Sequence, residues 1–81
     1  MPTLTLYGKP GCHLCEDARA IVERVCAGRD VVLEEVDITL GPTLHARYGE
    51  RIPVLLLDGE PVFELIADPA ALQQALDRVG A

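Results

Sequence analysis

Tryptophan is absent, and Tyr7, Tyr48 and Phe63 are the only aromatic side chains. Basic residues are few as well: seven Lys and Arg stand against thirteen Asp and Glu, leaving a formal net charge of −6. Neutralising a phosphate backbone needs clustered Lys and Arg, so nucleic-acid binding is excluded and the acidity is read as solubility. No apolar run approaches the ~20 residues that cross a bilayer, so no membrane span is expected. Met1 to Tyr7 lacks a basic stretch followed by an apolar run, so no secretory signal is expected and the cytoplasm is the expected location. Cysteine is scarce too. Three cysteines in a reducing compartment do not make a disulfide scaffold; they read as a reactive pair plus one buried thiol.

What the chain does have is aliphatic bulk. Of its 81 residues, 49% are hydrophobic, mostly Val, Leu, Ile and Ala. This length predicts a single domain over residues 1–81, burying about two-thirds of its unfolded surface. Thr3-Leu4-Thr5-Leu6-Tyr7 alternates polar and apolar, a strand signal. Gly8-Lys9-Pro10-Gly11 breaks it with turn residues. Cys15, Ala18, Ile21, Val22, Val25 and Cys26 then recur at spacings of three and four, predicting a helix over about Cys12 to Ala27. A second strand follows in Val31–Leu33 and Val36–Ile38, and Pro42 opens a short helix over Thr43 to Tyr48. Pro53 to Leu57 is a continuous apolar strand, predicted buried on both faces. Asp58-Gly59 predicts a tight hairpin to a strand at Glu60–Glu64. Asp68-Pro69 opens the last helix, with Ala70, Leu72, Ala75, Leu76 and Val79 as its apolar side. The order is β-α-β-α-β-β-α, an α/β domain whose first two strands should be parallel with a right-handed crossover.

The chemistry concentrates in Cys12-His13-Leu14-Cys15, at the start of a helix that follows a strand. Residues i and i+3 are neighbours on a helix surface, so two sulfurs can meet there. The helix N-terminus supplies unpaired N–H groups and partial positive charge, which favour a thiolate at Cys12. Lys9 adds a nearby cation, and Cys15, a turn further in, should stay a buried thiol. Zinc needs about four ligands, and only Cys26, His13 and His45 remain as soft donors, so no metal is expected. A metal- or thiol-binding module without turnover, a structural cysteine pair and a partner-binding domain without activity are the alternatives to thiol redox chemistry. Cys26 reads as a core thiol and His45 as a surface residue. His13 reads either as a solvated first-turn residue or as a cation that stabilises the thiolate. Pro53 heads a strand although it cannot donate to the ladder. An ordinary trans proline and a cis proline beside the thiol pair both fit.

These residues resemble the thioredoxin superfamily, and specifically the short bacterial glutaredoxin-like proteins. Tyr7-Gly8-Lys9-Pro10-Gly11-Cys12-His13-Leu14-Cys15 is similar to the glutaredoxin pattern Tyr-x-Lys-Pro-x-Cys-x-x-Cys, and Arg51-Ile52-Pro53 stands where the family has Thr-Val-Pro with a cis proline. The resemblance implies a thioredoxin-like fold, with a four-stranded mixed sheet flanked by three helices. It also implies disulfide exchange through a mixed disulfide, with Cys12 as nucleophile and Cys15 as resolving thiol. Lys9, Ile52, Pro53 and Asp68 are the expected substrate-binding residues, Ile52 through its backbone N–H and C=O. Expected partners are a disulfide-bearing protein or small thiol and a thioredoxin-reductase-type donor, with the chain itself a monomer. No tightly bound cofactor is expected. Glutathione is the reductant the family commonly uses. Here Phe63-Glu64-Leu65-Ile66-Ala67-Asp68 lacks the family's Gly-Gly pair, and Glu64 would repel a carboxylate, which argues against glutathione.

Overall fold

In the computed structural model, which describes residues 1–81, the strands and helices alternate in the expected order. They are β1 (Thr3–Gly8), α1 (His13–Cys26), β2 (Val32–Asp37), α2 (Pro42–Tyr48), β3 (Val54–Leu57), β4 (Glu60–Glu64) and α3 (Pro69–Arg78), with a single 3-10 turn at Ile38–Leu40 before α2. The sheet runs β2-β1-β3-β4. β1 and β2 are parallel, while β1 with β3 and β3 with β4 are antiparallel.

Strand parity divides the core between the two faces of the sheet. Leu4, Leu6, Leu55 and Leu57 point to one face, where they bury Ala18 and Val22 of α1 and Leu72, Ala75 and Leu76 of α3. Val54 points to the other, joining Ile38, Tyr48, Ile52 and Cys15, with Tyr7, Cys12, Leu44 and Leu56 packed around them. The continuous apolar run of β3 is explained by this arrangement: as a central strand it meets protein on both sides. Leu56 is half-buried and its three neighbours in β3 are buried.

The hairpin forms at Asp58 and Gly59, both at positive φ (+48° and +86°). Two successive left-handed residues match the twist of the flanking strands, and Asp and Gly tolerate them best. Asp58 also ties the turn to β1: its Oδ1 accepts from the Thr3 N–H at 2.9 Å. Pro61 sits on β4, an edge strand, beside a register shift opposite Leu55/Leu56, where its missing N–H is harmless.

Several expectations shift at element ends: β1 runs on through Gly8, β2 starts at Val32 instead of Val31, and β3 starts at Val54 instead of Pro53. α1 begins at His13, with Cys12 as its N-cap instead of its first residue. β2 stops at Asp37, because that carboxylate accepts from both the Thr39 N–H (2.9 Å) and the Thr39 hydroxyl (2.6 Å) and turns the chain into the 3-10 turn. These bonds hold the Asp37 carboxyl below the usual carboxylate range. Val79 leaves helical geometry at the end of α3 and lies half in solvent, and Ala70 is exposed, so Leu72, Ala75 and Leu76 alone carry the apolar face. No helix is long and apolar enough to cross a membrane.

Asp68 caps α3 as expected, its Oδ1 accepting from the Ala71 N–H at 3.1 Å. Asp68→Ala should therefore lower stability by about 1 kcal/mol. In a domain this small that is a drop in Tm of about 4–8 °C by thermal unfolding. An unchanged Tm would show that the cap is dispensable.

Candidate active site

The turn Lys9-Pro10-Gly11 carries the chain from the end of β1 to the head of α1, and both cysteines sit there. Cys12 and Cys15 are joined as a disulfide, with their Cα atoms 5.2 Å apart. Cys12, half-buried, is also the helix cap: its sulfur accepts from the Cys15 N–H at 3.2 Å. A thiolate at this position would meet an otherwise unpaired first-turn donor and the positive end of a fourteen-residue helix. Cys15 is buried in the smaller core. Its neighbour is Gly8, where an added Cβ would lie 3.2 Å from both the Cβ and the Sγ of Cys15. The absence of a side chain at Gly8 is what lets α1 bring Cys15 this close to β1.

Behind Cys15 a groove of about 390 Å³ opens between β2 and the first turns of α1, with Gly8, Lys9, Arg19, Glu35 and Asp37 in its walls. Arg19 spans it, its Nε 3.2 Å from Glu23 and 3.1 Å from Glu35. Lys9 is exposed and enters no ion pair. His13 is exposed and its Nδ1 lies 3.7 Å from Glu16. Cys26 is half-buried against the larger core, far along α1, and burial pushes its thiol up while Arg29 opposes the shift. His45 is exposed, on α2.

On the other side of the disulfide lies the segment before β3. The Ile52–Pro53 bond is cis, and both residues are buried. The family resemblance assigns the Ile52 N–H to a substrate. Instead it donates to the Tyr48 carbonyl at 3.1 Å, because the chain leaves α2 through a tight turn that satisfies it internally. Asp68 is likewise engaged as the α3 cap.

Four features here have no counterpart in the sequence reading. Tyr7 stacks on Tyr48 at 4.3 Å between ring centroids, nearly parallel at 19°. Burial, with Tyr48 beside it, raises the Tyr7 phenol above its ordinary range. The Arg47 and Arg51 guanidinium groups stand 5.4 and 5.5 Å from the Tyr48 ring centre. Arg51 then grips Glu64, with Nη2 at 2.7 Å and Nε at 2.8 Å from one carboxylate oxygen. Last, Leu65 takes φ +67° and its N–H donates to the carbonyls of both Arg51 and Pro53, each at 3.0 Å. A gap in the family's glycine pattern is the one available signal for this last feature.

Comparison with known proteins agrees with this geometry. A family model described as Glutaredoxin-like domain (DUF836) matches residues 3–77. An uncharacterized protein of Mycobacterium tuberculosis, Rv0508, is 33% identical over 63 residues, covering 72% of this chain and 65% of the relative. The chain thus spans just under two thirds of that relative's length. Among solved structures, XcR50 from X. campestris is similar with a TM-score of 0.72 and 30% identity, over 93% of this chain and 96% of that one. Ne2328 from Nitrosomonas europaea is similar with a TM-score of 0.78 and 26% identity, over 91% and 89%. A mutant thioredoxin from Halobacterium salinarum has a TM-score of 0.68 and 27% identity, over 95% and 73%. With a cysteine pair at the strand-to-helix junction of a thioredoxin-like fold, and a family model running over nearly all of its length, the chain belongs to the glutaredoxin-like domain family.

Proposed function

We propose that the protein is a thiol–disulfide oxidoreductase that reduces disulfides of proteins or mixed disulfides of small thiols. The observation that carries this reading is the Cys12 sulfur at the N-cap of α1, bonded to a buried Cys15 and accepting from its N–H. In the reduced protein the Cys12 thiolate attacks one sulfur of a substrate disulfide. The substrate S–S bond breaks, its other sulfur departs as a thiolate and takes up a proton, and a mixed disulfide joins Cys12 to the substrate. Cys15 then loses its proton and attacks the Cys12 sulfur, which releases the second substrate thiol and closes the Cys12–Cys15 disulfide. Two protein thiols are oxidised and one disulfide is reduced to two thiols. A dithiol donor of the thioredoxin-reductase type reverses the change and resets the protein. The monomer acts in the reducing cytoplasm, with no tightly held cofactor, and contributes to thiol balance there.

Glutathione is a poor fit as donor. A glutathione carboxylate would need a cationic fork, and Glu64 already occupies that of Arg51. Asp68 already accepts from the Ala71 N–H through Oδ1 as the α3 cap, and as a carboxylate it would repel a glutathione carboxylate. Lys9 and Arg47 remain, both exposed and outside any ion pair, and each exposed pair they could form contributes only about 0–1 kcal/mol. The test is reduction of a protein disulfide and of a glutathionylated peptide, each with glutathione and, separately, with a thioredoxin reductase system as donor. The reductase-driven reaction on the protein disulfide should be the faster. A kcat/KM for the glutathionylated peptide approaching the diffusion range of about 10⁸ M⁻¹s⁻¹ would overturn the exclusion of glutathione. No reduction of either substrate by either donor would overturn the oxidoreductase reading.

A further inference from the structure

Closing the disulfide requires Cys15 to give up a proton, and Cys15 is buried, with 8% of its surface exposed. Apolar surroundings disfavour a thiolate. Cys15 meets solvent at the groove of about 390 Å³ between β2 and α1, which it lines. The charged groups of that groove therefore bear on its proton. Lys9 stands in the turn after β1, Glu16 and Arg19 come from α1, and Glu35 and Asp37 come from β2. On the smaller-core side Tyr7 and Tyr48 add only phenols, neutral near pH 7. The Asp37 carboxylate is turned to Thr39, and Glu16 faces His13 at 3.7 Å. Three carboxylates against two cations oppose a Cys15 thiolate, so the placing of the cations decides.

Arg19 is the cation held in place. It lies four residues beyond Cys15 on α1, hence on the same helix face. Helical side chains lean toward the N-terminus, so its long stem runs back over the turn that carries Cys15. Its Nε lies 3.1 Å from Glu35 of β2 and 3.2 Å from Glu23 of α1. This grip keeps the guanidinium at the groove. Lys9, exposed and in no ion pair, would have to give up side-chain freedom to stay there. A guanidinium also keeps its charge up to about pH 12.

We infer that Arg19, pinned by Glu35 at the groove, supplies the positive charge that lets Cys15 ionise and resolve the mixed disulfide once Cys12 is occupied by substrate. This rests on the oxidoreductase reading above and names the residue that governs its second step. The charge on Cys12 sets the timing. In the reduced protein a Cys12 thiolate beside Cys15 opposes a second negative charge, and Cys15 stays a thiol. Once Cys12 is joined to substrate, that charge is gone. The Cys15 proton then passes to solvent in the groove, and the Cys15 sulfur attacks the Cys12 sulfur. The bond from Cys12 to the substrate breaks, and the substrate sulfur leaves as a thiolate that takes up a proton.

The test follows the two steps separately between about pH 5 and pH 9, on a short peptide joined through its one cysteine to thionitrobenzoate. Release of the coloured thiolate reports capture by Cys12. Acid-stopped samples, analysed by mass spectrometry, report how fast the mixed disulfide resolves. In the wild type the resolution rate should rise with pH to a plateau. Arg19→Gln should move the midpoint of that rise up by about half a pH unit, which makes resolution about threefold slower below it, the scale of one partly exposed charge pair. Capture should change less than resolution. Arg19→Lys should recover most of the shift, because it restores a positive charge at the same place. Loss of a surface ion pair should barely move Tm. A role confined to tying α1 to β2 gives another pattern: a lower Tm, capture and resolution slowed together at every pH, and the midpoint unmoved. That pattern, or an unmoved midpoint at the wild-type Tm, overturns the inference while leaving the oxidoreductase reading intact. So does an Arg19→Lys variant as slow as Arg19→Gln, or a shift that appears in Lys9→Gln and not in Arg19→Gln. Failure of the wild type to reduce either this peptide or bis(2-hydroxyethyl) disulfide would overturn both.

Discussion

Cys12→Ser is expected to bring disulfide reduction down to background, a loss of at least about a thousandfold. A serine hydroxyl is essentially un-ionised near neutral pH and a poor nucleophile toward sulfur, so the first bond cannot form. Cys15→Ser should behave differently. Cys12 and its helix-end surroundings remain, so the first attack proceeds and the protein stalls as a stable mixed disulfide visible by mass spectrometry. The asymmetry follows from position: Cys12 caps α1 and accepts from the Cys15 N–H, whereas Cys15 is buried beneath it. A helix N-terminus favours the thiolate form of a cysteine placed at it. In the reduced wild-type protein, iodoacetamide at pH 7 should therefore label Cys12 first. Cys15 is shielded, and burial keeps the Cys26 thiol high despite Arg29. First labelling at Cys15, or trapping by Cys12→Ser instead of Cys15→Ser, would reverse the assigned roles.

Features that depend on near neighbours in the chain are legible in the sequence alone. The i, i+3 spacing of Cys12 and Cys15, the Asp58-Gly59 turn and the Asp68-Pro69 helix start each need only a few adjacent residues, and each sits where those residues predict. The double-sided burial of β3 also follows, because a run such as Val54 to Leu57 leaves no polar face. What stays hidden depends on packing between distant segments. Tyr7 and Tyr48 come from β1 and α2, and nothing local in either announces a stack. In sequence Glu64 is an isolated negative charge, yet its effect on a ligand changes once Arg51 grips it from the other side of the β3–β4 hairpin. The Ile52 N–H looks free because turn geometry after α2 has no sequence marker there; the Tyr48 carbonyl claims it. Leu65 is the sharpest case. Propensity argues against a left-handed leucine, and the structure holds one, so the local rule is broken where the site meets solvent.

Gly8 reads in sequence only as the start of a turn, and its replacement should have the second-largest effect. A Cβ built there lies 3.2 Å from the Cβ and the Sγ of Cys15, tighter than ordinary van der Waals contact. Gly8→Ala therefore requires Cys15 to retreat by a few tenths of an ångström. Gly8→Val adds two further methyl groups to the same space, and the first turn of α1 must move away from β1. Overpacking of this kind costs about 1–3 kcal/mol. The kinetic effect should exceed what that loss alone implies. Cys15 must reach the Cys12 sulfur in line with the mixed disulfide, and a misplacement near 1 Å in such a step costs about a hundredfold. Cys12 feels less, because its surroundings are the helix end and not β1. Gly8→Val should consequently resemble a partial Cys15→Ser: substrate is captured, and the mixed disulfide accumulates and resolves slowly. Gly8→Ala should fall between this variant and the wild type. Quenched-flow trapping with an acid stop, followed by mass analysis of the mixed disulfide over time, gives both rates, and thermal unfolding gives the stability change. Slowed capture with normal resolution would place the strain on Cys12 instead. Wild-type rates at a wild-type Tm in Gly8→Val would show that Cys15 has room to spare and that the close approach of β1 to α1 has no part in resolving the mixed disulfide.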